Sequence, residues 1–182
     1  FTVFLWGMTA ILGKSIAIGA LSLVFYRVTI VALLMGGLMI SRRVSFALTV
    51  RQALELGGAG TLVALHWILF YGAVKVAGVA VAVLCLSTMT FFTALIEPLF
   101  FRRMIRVHEL VLGSLVVVGV VLILRLEAAA TITGYGMGIA SAFFSAAFGT
   151  WNGSLVSRER SERVTFFELS AAGVVCAIAL TV

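Results

Sequence analysis

The sequence predicts an all-α polytopic membrane protein, and composition and hydropathy are the first two observations that predict it. Of the 182 residues, 63% are hydrophobic and only 11% are charged, with a single proline. Soluble domains are closer to half apolar and a quarter charged. The mean hydropathy is +1.23. This composition excludes a water-soluble fold.

The third observation is that apolar runs of about 20 residues recur along the whole chain, each long enough to cross about 30 Å of hydrocarbon as a helix. The connections between them are short, so the chain forms one membrane domain. It begins and ends inside apolar runs, and we therefore expect it to be part of a longer protein. Seven spans are predicted: 2–19, 22–41, 54–75, 78–101, 109–126, 134–157 and 164–182.

The distribution of basic residues predicts the orientation of these spans, because cytoplasmic loops carry an excess of Lys and Arg. With the first terminus inside, only Lys75 and Arg125 mark the outer ends, and Lys14 and Arg27 fall within spans near the outer face. The other nine of the 13 basic residues mark the cytoplasmic side: Arg42, Arg43, Arg51, Arg102, Arg103, Arg106, Arg158, Arg160 and Arg163.

An inverted repeat is suggested by the number of spans before the connection at 127–133. Five spans precede it, and because five is odd, a second copy of the unit would start on the opposite side of the membrane. Residues 23–27, LVFYR, are similar to residues 164–168, VTFFE, at the start of the seventh span. Inverted repeats of this kind are typical of transporters.

Several short motifs, in this order and spacing, resemble the EamA-like permeases of the drug/metabolite transporter superfamily. They are Trp6-Gly7 with Gly13-Lys14, Phe25-Tyr26-Arg27, HWILFYGA at 66–73 with Lys75, FTALIEPL at 92–99, and Gly134-Tyr135-Gly136. The resemblance implies two inverted five-helix repeats, of which residues 1–126 form the first and residues 127–182 begin the second. Seven of an expected ten transmembrane helices are then present, and three should follow Val182.

The resemblance also implies transport by alternating access through a central cavity, with the fifth helix of each repeat at the periphery. The residues of the fifth span agree with this position. Leu110–Leu124 holds Ser114 as its only polar side chain, which suits a helix that faces lipid or a neighbouring protomer. A homodimer through the fifth helix is therefore an expectation.

Polar side chains on separate spans share helix faces, which predicts a polar interior. The alternative for each hydroxyl is that it only bonds helix to helix. Three such faces stand out: Ser87, Thr90, Thr93 and Glu97 in the fourth span, Ser141, Ser145 and Asn152 in the sixth, and Trp67, Tyr71 and Lys75 in the third. We predict a cavity for solute near the midplane, lined by His66, Trp67, Tyr71, Thr90, Thr93, Ser145, Trp151 and Asn152.

Four ionisable residues inside spans need an explanation, because a charge at the bilayer centre costs about 3 kcal/mol on insertion scales. Lys14 and Arg27 lie near the outer ends, where they either extend to the interface or attract anionic solute. Glu97 precedes the only proline and stands about one turn from Arg102 and Arg103, which favours an interfacial ion pair or a kink. His66 lies near mid-depth, and it either bonds neighbouring helices or takes part in proton or substrate handling.

The predicted function is that of a secondary transporter for small, polar or amphipathic organic solutes in a bacterial inner membrane. The basic residues form short clusters rather than one face, so nucleic acid is not an expected partner. No cofactor or metal site is predicted, and Cys85 and Cys176 are interpreted as buried small hydrophobic residues. The alternatives are an intramembrane enzyme that uses His66 with a serine, and a channel-like or structural bundle. Substrate, direction and energy coupling stay open.

Overall fold

Helices account for almost all of the structure, a computed structural model that describes residues 2–124 and 131–181. No strand occurs in these ranges, and the predicted all-α fold is confirmed. Arg125 and the first residues of the predicted second repeat, up to 130, lie outside the described residues. Eight helices are described: α1 (Thr2–Ser15), α2 (Ala20–Ser41), α3 (Val50–Ala77), α4 (Val79–Ser87), α5 (Met89–Phe101), α6 (Val107–Leu124), α7 (Ile132–Val156) and α8 (Ser161–Thr181).

Four of the described segments are long and apolar enough to cross a membrane: α2, α3, α4 together with α5, and α8. The apolar part of α6, Val107–Ile123, is only slightly shorter. The chain is therefore a multi-pass membrane protein. In position along the sequence, the seven predicted spans correspond to α1, α2, α3, α4 with α5, α6, α7 and α8, although α1 ends earlier than predicted. The inverted relation between 1–126 and 127–182 stays a prediction.

Helix α3 has a clear start and stop signal in the sequence. Thr49 accepts a hydrogen bond from the Gln52 backbone N–H, and the Gln52 side chain accepts one from the Thr49 N–H, so the two form a capping box. At the other end Gly78 adopts a φ of 92°, which glycine tolerates best. These signals give α3 28 residues, so it extends beyond the predicted span at both ends.

The fourth predicted span is interrupted at Thr88, where α4 ends and α5 begins. Around the interruption, hydroxyl groups donate to carbonyls three or four residues earlier: Ser87 to Leu84, Thr88 to Cys85, Thr90 to Ser87 and Thr93 to Met89. Such bonds compete with the helical ladder and bend helices. The span predicted at 78–101 is thus confirmed as one apolar segment, Val79–Phe101, with a local interruption at Thr88.

Helices α3 and α7 lie at the centre of the packing. α7 packs against α3, α4 and α5, and α8 packs against α2 and α3. Small residues permit these contacts: a Cβ atom added at Gly138 would meet the Cβ of Cys85 at 2.6 Å, and one at Gly60 would meet the Cβ of Ala171 at 2.8 Å. Cys85 and Cys176 are buried and free, as predicted.

Helix α6 lies at the edge of the bundle, packed against α4 and α5. Large apolar side chains cover its exposed face: Val111, Leu112, Leu115, Val118, Val121, Leu122 and Ile123. Ser114 does not change this apolar character, because its hydroxyl donates to the Leu110 carbonyl within the helix. The peripheral position predicted for the fifth span agrees with this arrangement.

Ion pairs and hydrogen bonds connect the ends of helices on the side that the basic residues mark as cytoplasmic. Arg42, after α2, pairs with Glu162 at the start of α8 at 2.6 Å. Gln52 of α3 donates to Glu159, which also pairs with Arg163. Since these groups hold α2, α3 and α8 together at one end, the loops on this side are parts of the packed structure.

We expect single cysteines at Ser45 and Met104 to react only from the cytoplasm, and one at Gly19 only from outside. Met104 is 90% exposed, and a side chain at Gly19 meets no atom within 4 Å, so both positions accept a cysteine without strain. A membrane-impermeant maleimide applied to intact cells and to inverted vesicles measures the side. Reaction of Ser45→Cys in intact cells would reverse the orientation.

Candidate functional site

Two lysines join α1 and α3 at their outer ends. Lys14 donates to the carbonyls of Val74 and Lys75 at 3.3 Å each, and Lys75 in turn donates to the carbonyl of Ile16. The last carbonyls of a helix have no partner within it, and cations are favoured at that end. Each lysine therefore serves the C-terminal end of the other helix, while Lys14 stays exposed to the outer side.

An arginine cluster, formed by Arg27, Trp67 and Tyr71, lies just below these lysines between α2 and α3. The guanidinium carbon of Arg27 stands 4.5 Å from the centre of the Trp67 ring and 6.0 Å from that of Tyr71. Arg27 also donates to the Tyr71 hydroxyl. It forms no ion pair with any carboxylate in the described ranges. The cluster therefore holds a positive charge that aromatic faces stabilise and that no carboxylate neutralises.

His66 and Ser141 link α3 to α7 near mid-depth. The Nδ1 atom of His66 lies 3.0 Å from the Ser141 carbonyl oxygen and 2.9 Å from the Ser141 hydroxyl, which donates to the His66 carbonyl at 3.1 Å. The exposed fraction is 8% for His66 and zero for Ser141. This geometry agrees with the interpretation that His66 bonds neighbouring helices.

The His66–Ser141 pair is also relevant to the alternative function of an intramembrane enzyme, in which His66 would activate a serine. Both carbonyls are satisfied when Nδ1 carries the proton and donates to Ser141, while the Ser141 hydroxyl donates to His66. In this tautomer, which is assigned from the hydrogen-bond network, Nδ1 has no lone pair with which to accept the hydroxyl proton. The arrangement therefore supports helix packing and does not prepare a nucleophile.

A groove of about 300 Å³ lies between α5 and α7, in the half of the bundle that the basic residues mark as cytoplasmic, and we call it the α5–α7 groove. Its polar side chains are Thr93 and Glu97 from α5, and Ser145 and Thr150 from α7. Met89 and Phe101 line its two ends on α5. On α7 the small residues Ala146, Gly149 and Gly153 leave the space open. The groove thus combines apolar surface with a few oxygen atoms, as small-molecule sites do.

A second groove, of about 450 Å³, lies on the other side of α5 against α6, and we call it the α5–α6 groove. Thr90, Thr93 and Glu97 line it, so three of the four residues predicted to share a face lie together, whereas Ser87 does not line this groove. Glu97 pairs with Arg103 at 3.0 Å, as the ion-pair interpretation predicted. Arg103 also bonds Glu109, and this bond raises the pKa of the Arg103 guanidinium.

Unpaired polar atoms lie along the cytoplasmic part of α7. The Thr150 hydroxyl and the Asn152 side-chain oxygen are both buried without a hydrogen-bond partner in residues 2–124 and 131–181. Trp151, between them, packs with Phe100 and would contact a side chain added at Gly58. Since buried polar groups are normally paired, Thr150 and Asn152 are available to a solute or to water.

The structure divides the predicted cavity residues between two depths. Trp67 and Tyr71 lie in the arginine cluster, with Arg27 beside them and Lys14 above. Thr90, Thr93 and Ser145 line the two grooves, and Trp151 and Asn152 lie at the cytoplasmic end of α7. His66 stands between the two groups, bonded to Ser141. The role of these residues in solute binding stays a prediction.

Two residues of interest were missed by the sequence reasoning: Thr150 and Glu168. Nothing in the sequence distinguishes Thr150 from other hydroxyl residues, because such residues are common in helices rich in small side chains. Glu168 did carry a signal, because it is the only charged residue in the apolar run 164–182. It is only 3% exposed, and an ionisable residue inside a span is a functional candidate by default.

Comparison with known families decides the class of the protein. The sequence matches the EamA-like transporter family over residues 1–125, which is more than half of the chain. The chain belongs to the EamA-like transporter family. No curated protein and no solved structure matches it. The EamA-like match covers α1 to α6. It therefore includes the arginine cluster and the α5–α6 groove, but only the α5 side of the α5–α7 groove.

Membership in the EamA-like family indicates a membrane transporter, which agrees with the several apolar spans. The family is one of transporters and not of enzymes. The resemblance drawn from the motifs is therefore confirmed at the level of the family. The solute and the mechanism are not read from the match.

Proposed function

We propose that this chain forms part of a secondary transporter that carries small organic solutes by alternating access. The family match over residues 1–125 carries this proposal. The all-α spans suit a bacterial inner membrane, since outer-membrane proteins are built as β-barrels. The exposed face of α6 is available to lipid or to a second copy of the chain.

The arginine cluster supports the proposal that negatively charged solutes are attracted to the outer side of the protein. Arg27 has donors that its one bond to Tyr71 does not use, and no carboxylate neutralises it in the described residues. A guanidinium presents donors in a planar fork that matches carboxylate and phosphate groups. Trp67 adds flat apolar surface beside the charge. We infer an acidic or zwitterionic solute with some apolar surface.

The α5–α7 groove supports a second contact region in the cytoplasmic half. Within the groove, Thr150 offers an oxygen atom with no partner among the described residues, and Thr93 and Ser145 add hydroxyl groups. The His66–Ser141 bond joins α3 and α7 between this groove and the arginine cluster. A carrier needs a closed layer between its two openings, and this bonded layer is the candidate for it.

We expect Ser145→Trp to abolish saturable transport, because the indole would project into a groove of only about 300 Å³ and obstruct it. The full-length protein is reconstituted in vesicles, and a ligand-stabilisation screen of amino acids, nucleosides and sugar phosphates first identifies a solute, since bound solute raises the melting temperature. Counterflow of that labelled solute then measures transport.

The matched control is Ile139→Trp, which places the same indole on α7 at a side chain that is 41% exposed. It should transport as the unmodified protein does. Equal counterflow in the two variants would remove the groove from the pathway. Flux that rises linearly with solute concentration, without counterflow, would instead indicate a channel-like bundle.

A further inference from the structure

Glu168 is a buried carboxyl group inside a membrane span that the transport proposal has not used. It lies on α8 seven residues after Ser161, which places it about 10 Å along the helix axis. Its exposed fraction is 3%, and its backbone faces Gly60 of α3. Glu168 is therefore enclosed between α8 and α3 within the bundle.

The Glu168 side chain has no partner in the described part of the chain. Its Oε1 atom is buried and unbonded, and no hydrogen bond or ion pair joins the carboxyl group to another described residue. The ionisable side chains on the helices packed against α8 are Tyr26 and Arg27 on α2, Arg51, Glu55, His66, Tyr71 and Lys75 on α3, and Tyr135 on α7. None of them is bonded to Glu168.

The nearest of these ionisable groups along α3 are bonded to residues other than Glu168. Glu55 pairs with Arg51 at 2.9 Å, and His66 bonds Ser141. On α2, the buried residues of the face that packs toward the core are all apolar. An ionised carboxylate on a residue that is only 3% exposed and has no counter-ion among the described residues is poorly stabilised, so the enclosed group is far less costly with a proton on it.

The geometry favours a proton over a metal cation as the ligand of Glu168. Hard cations such as Mg²⁺ and Ca²⁺ take six or more oxygen ligands. In the described ranges no group of three or more acidic, histidine or cysteine side chains could hold a metal ion. One carboxyl oxygen is enough to bind a proton.

We propose that Glu168 is a proton-binding site of the transporter, loaded while α8 packs on α3 and unloaded when water reaches it. This inference deepens the proposed transport function and rests on it. On release the carboxyl O–H bond breaks, its electron pair stays on the oxygen, and the proton passes to a water molecule. The carboxylate that remains is then stable only in contact with water.

The α3–α8 interface offers a place where such an opening can start. At its cytoplasmic end Gln52 donates to Glu159, and Glu159 pairs with Arg163 at 3.0 Å, five residues before Glu168. These surface bonds are weak compared with buried packing. Their loss would let water approach Glu168 along the interface.

Infrared spectroscopy of the full-length protein reconstituted in lipid tests the proton site directly. We expect a carbonyl band of a protonated carboxylic acid at neutral pH that disappears on titration toward about pH 9. Glu168→Gln should lack this band, and Glu168→Asp should keep one. Glu55→Gln, which removes a carboxylate that is paired and reached by water, should keep the full band. A band that persists unchanged in Glu168→Gln overturns the proposal.

Thermal stability gives a second readout that does not depend on the spectrum. A carboxyl group that holds its proton in the folded state and loses it on unfolding destabilises the fold as pH rises. The unmodified protein should therefore lose melting temperature as the pH rises above about 4.3, where glutamate ionises in the unfolded chain, and Glu168→Gln should lose less. Identical pH profiles for the two proteins would also overturn the proposal.

Transport separates this proposal from the one on which it rests. With the solute found by the stabilisation screen, a pH gradient across the vesicle should change flux in the unmodified protein but not in Glu168→Gln. Saturable flux that ignores the gradient in both overturns proton loading during transport and leaves the transporter intact. A titrating Glu168 band without saturable flux of any solute supports the proton site and counts against the transport function.

Discussion

Gly60→Ala should lower the stability of the folded protein by about 2 kcal/mol, the usual cost of forcing an extra carbon atom into a packed interior. The added Cβ atom would overlap the backbone carbonyl of Glu168 and stand 2.8 Å from the Cβ of Ala171. Backbone atoms cannot turn aside as a flexible side chain does, so α3 and α8 must separate. The melting temperature of the full-length protein in detergent measures the loss.

Gly57→Ala is the matched control for this substitution. Gly57 lies on the same helix one turn earlier, and a Cβ atom there meets nothing within 4 Å. Alanine also favours a helix over glycine by up to about 1 kcal/mol. The control should therefore melt at or above the temperature of the unmodified protein. Equal losses in both variants would show that glycine itself, and not the α3–α8 contact, determines the effect.

Arg27→Gln should weaken the apparent affinity for an anionic solute by about tenfold to about a hundredfold, because a hydrogen bond to a charged group is worth about 1.5 to about 3 kcal/mol. The substitution removes the charge held over Trp67 and the bond to Tyr71. Arg27→Lys keeps the charge without the planar fork, and we expect an intermediate affinity. Concentration dependence of counterflow gives these affinities.

Three comparisons separate this effect from a general loss of function. Lys14→Gln should weaken affinity less, since Lys14 is bonded to carbonyls of α3. Arg51→Gln, at a highly exposed cytoplasmic arginine, should leave affinity unchanged. Neutral solutes should be affected little by any of the three changes. Unchanged affinity in Arg27→Gln, Lys14→Gln and the double variant would assign both residues to anchoring at the interface.

Much of the fold could be predicted because a membrane restricts it so strongly. An apolar run of about 20 residues has few structures other than a spanning helix, and charged residues cannot stay inside it at low cost. The limits of α3 were also readable, since Thr49 with Gln52 forms a capping box and Gly78 ends the helix. The interruption at Thr88 was not predicted, although four hydroxyl groups lie close together there.

The candidate site could be predicted only in part, because helix periodicity gives the face of a residue but not its depth relative to other helices. Thr93 and Glu97 were correctly placed on one face of α5. The relative depth of Tyr71 on α3 and Ser145 on α7 depends on how far the two helices slide along each other, which no spacing within one helix encodes. This offset is why the residues predicted to line one cavity lie at two depths.

The interruption at Thr88 also affects how motion passes along the fourth span. A continuous helix transmits a tilt from one end to the other, whereas a joint lets one half move while the other keeps its contacts. Here the joint sits where α5 borders both grooves through Met89. The hydroxyl of Thr88 already donates to the carbonyl of Cys85, so a wider bend at this point need not leave that buried carbonyl without a hydrogen bond. The two segments of the span, α4 and α5, therefore need not tilt together as one rigid rod.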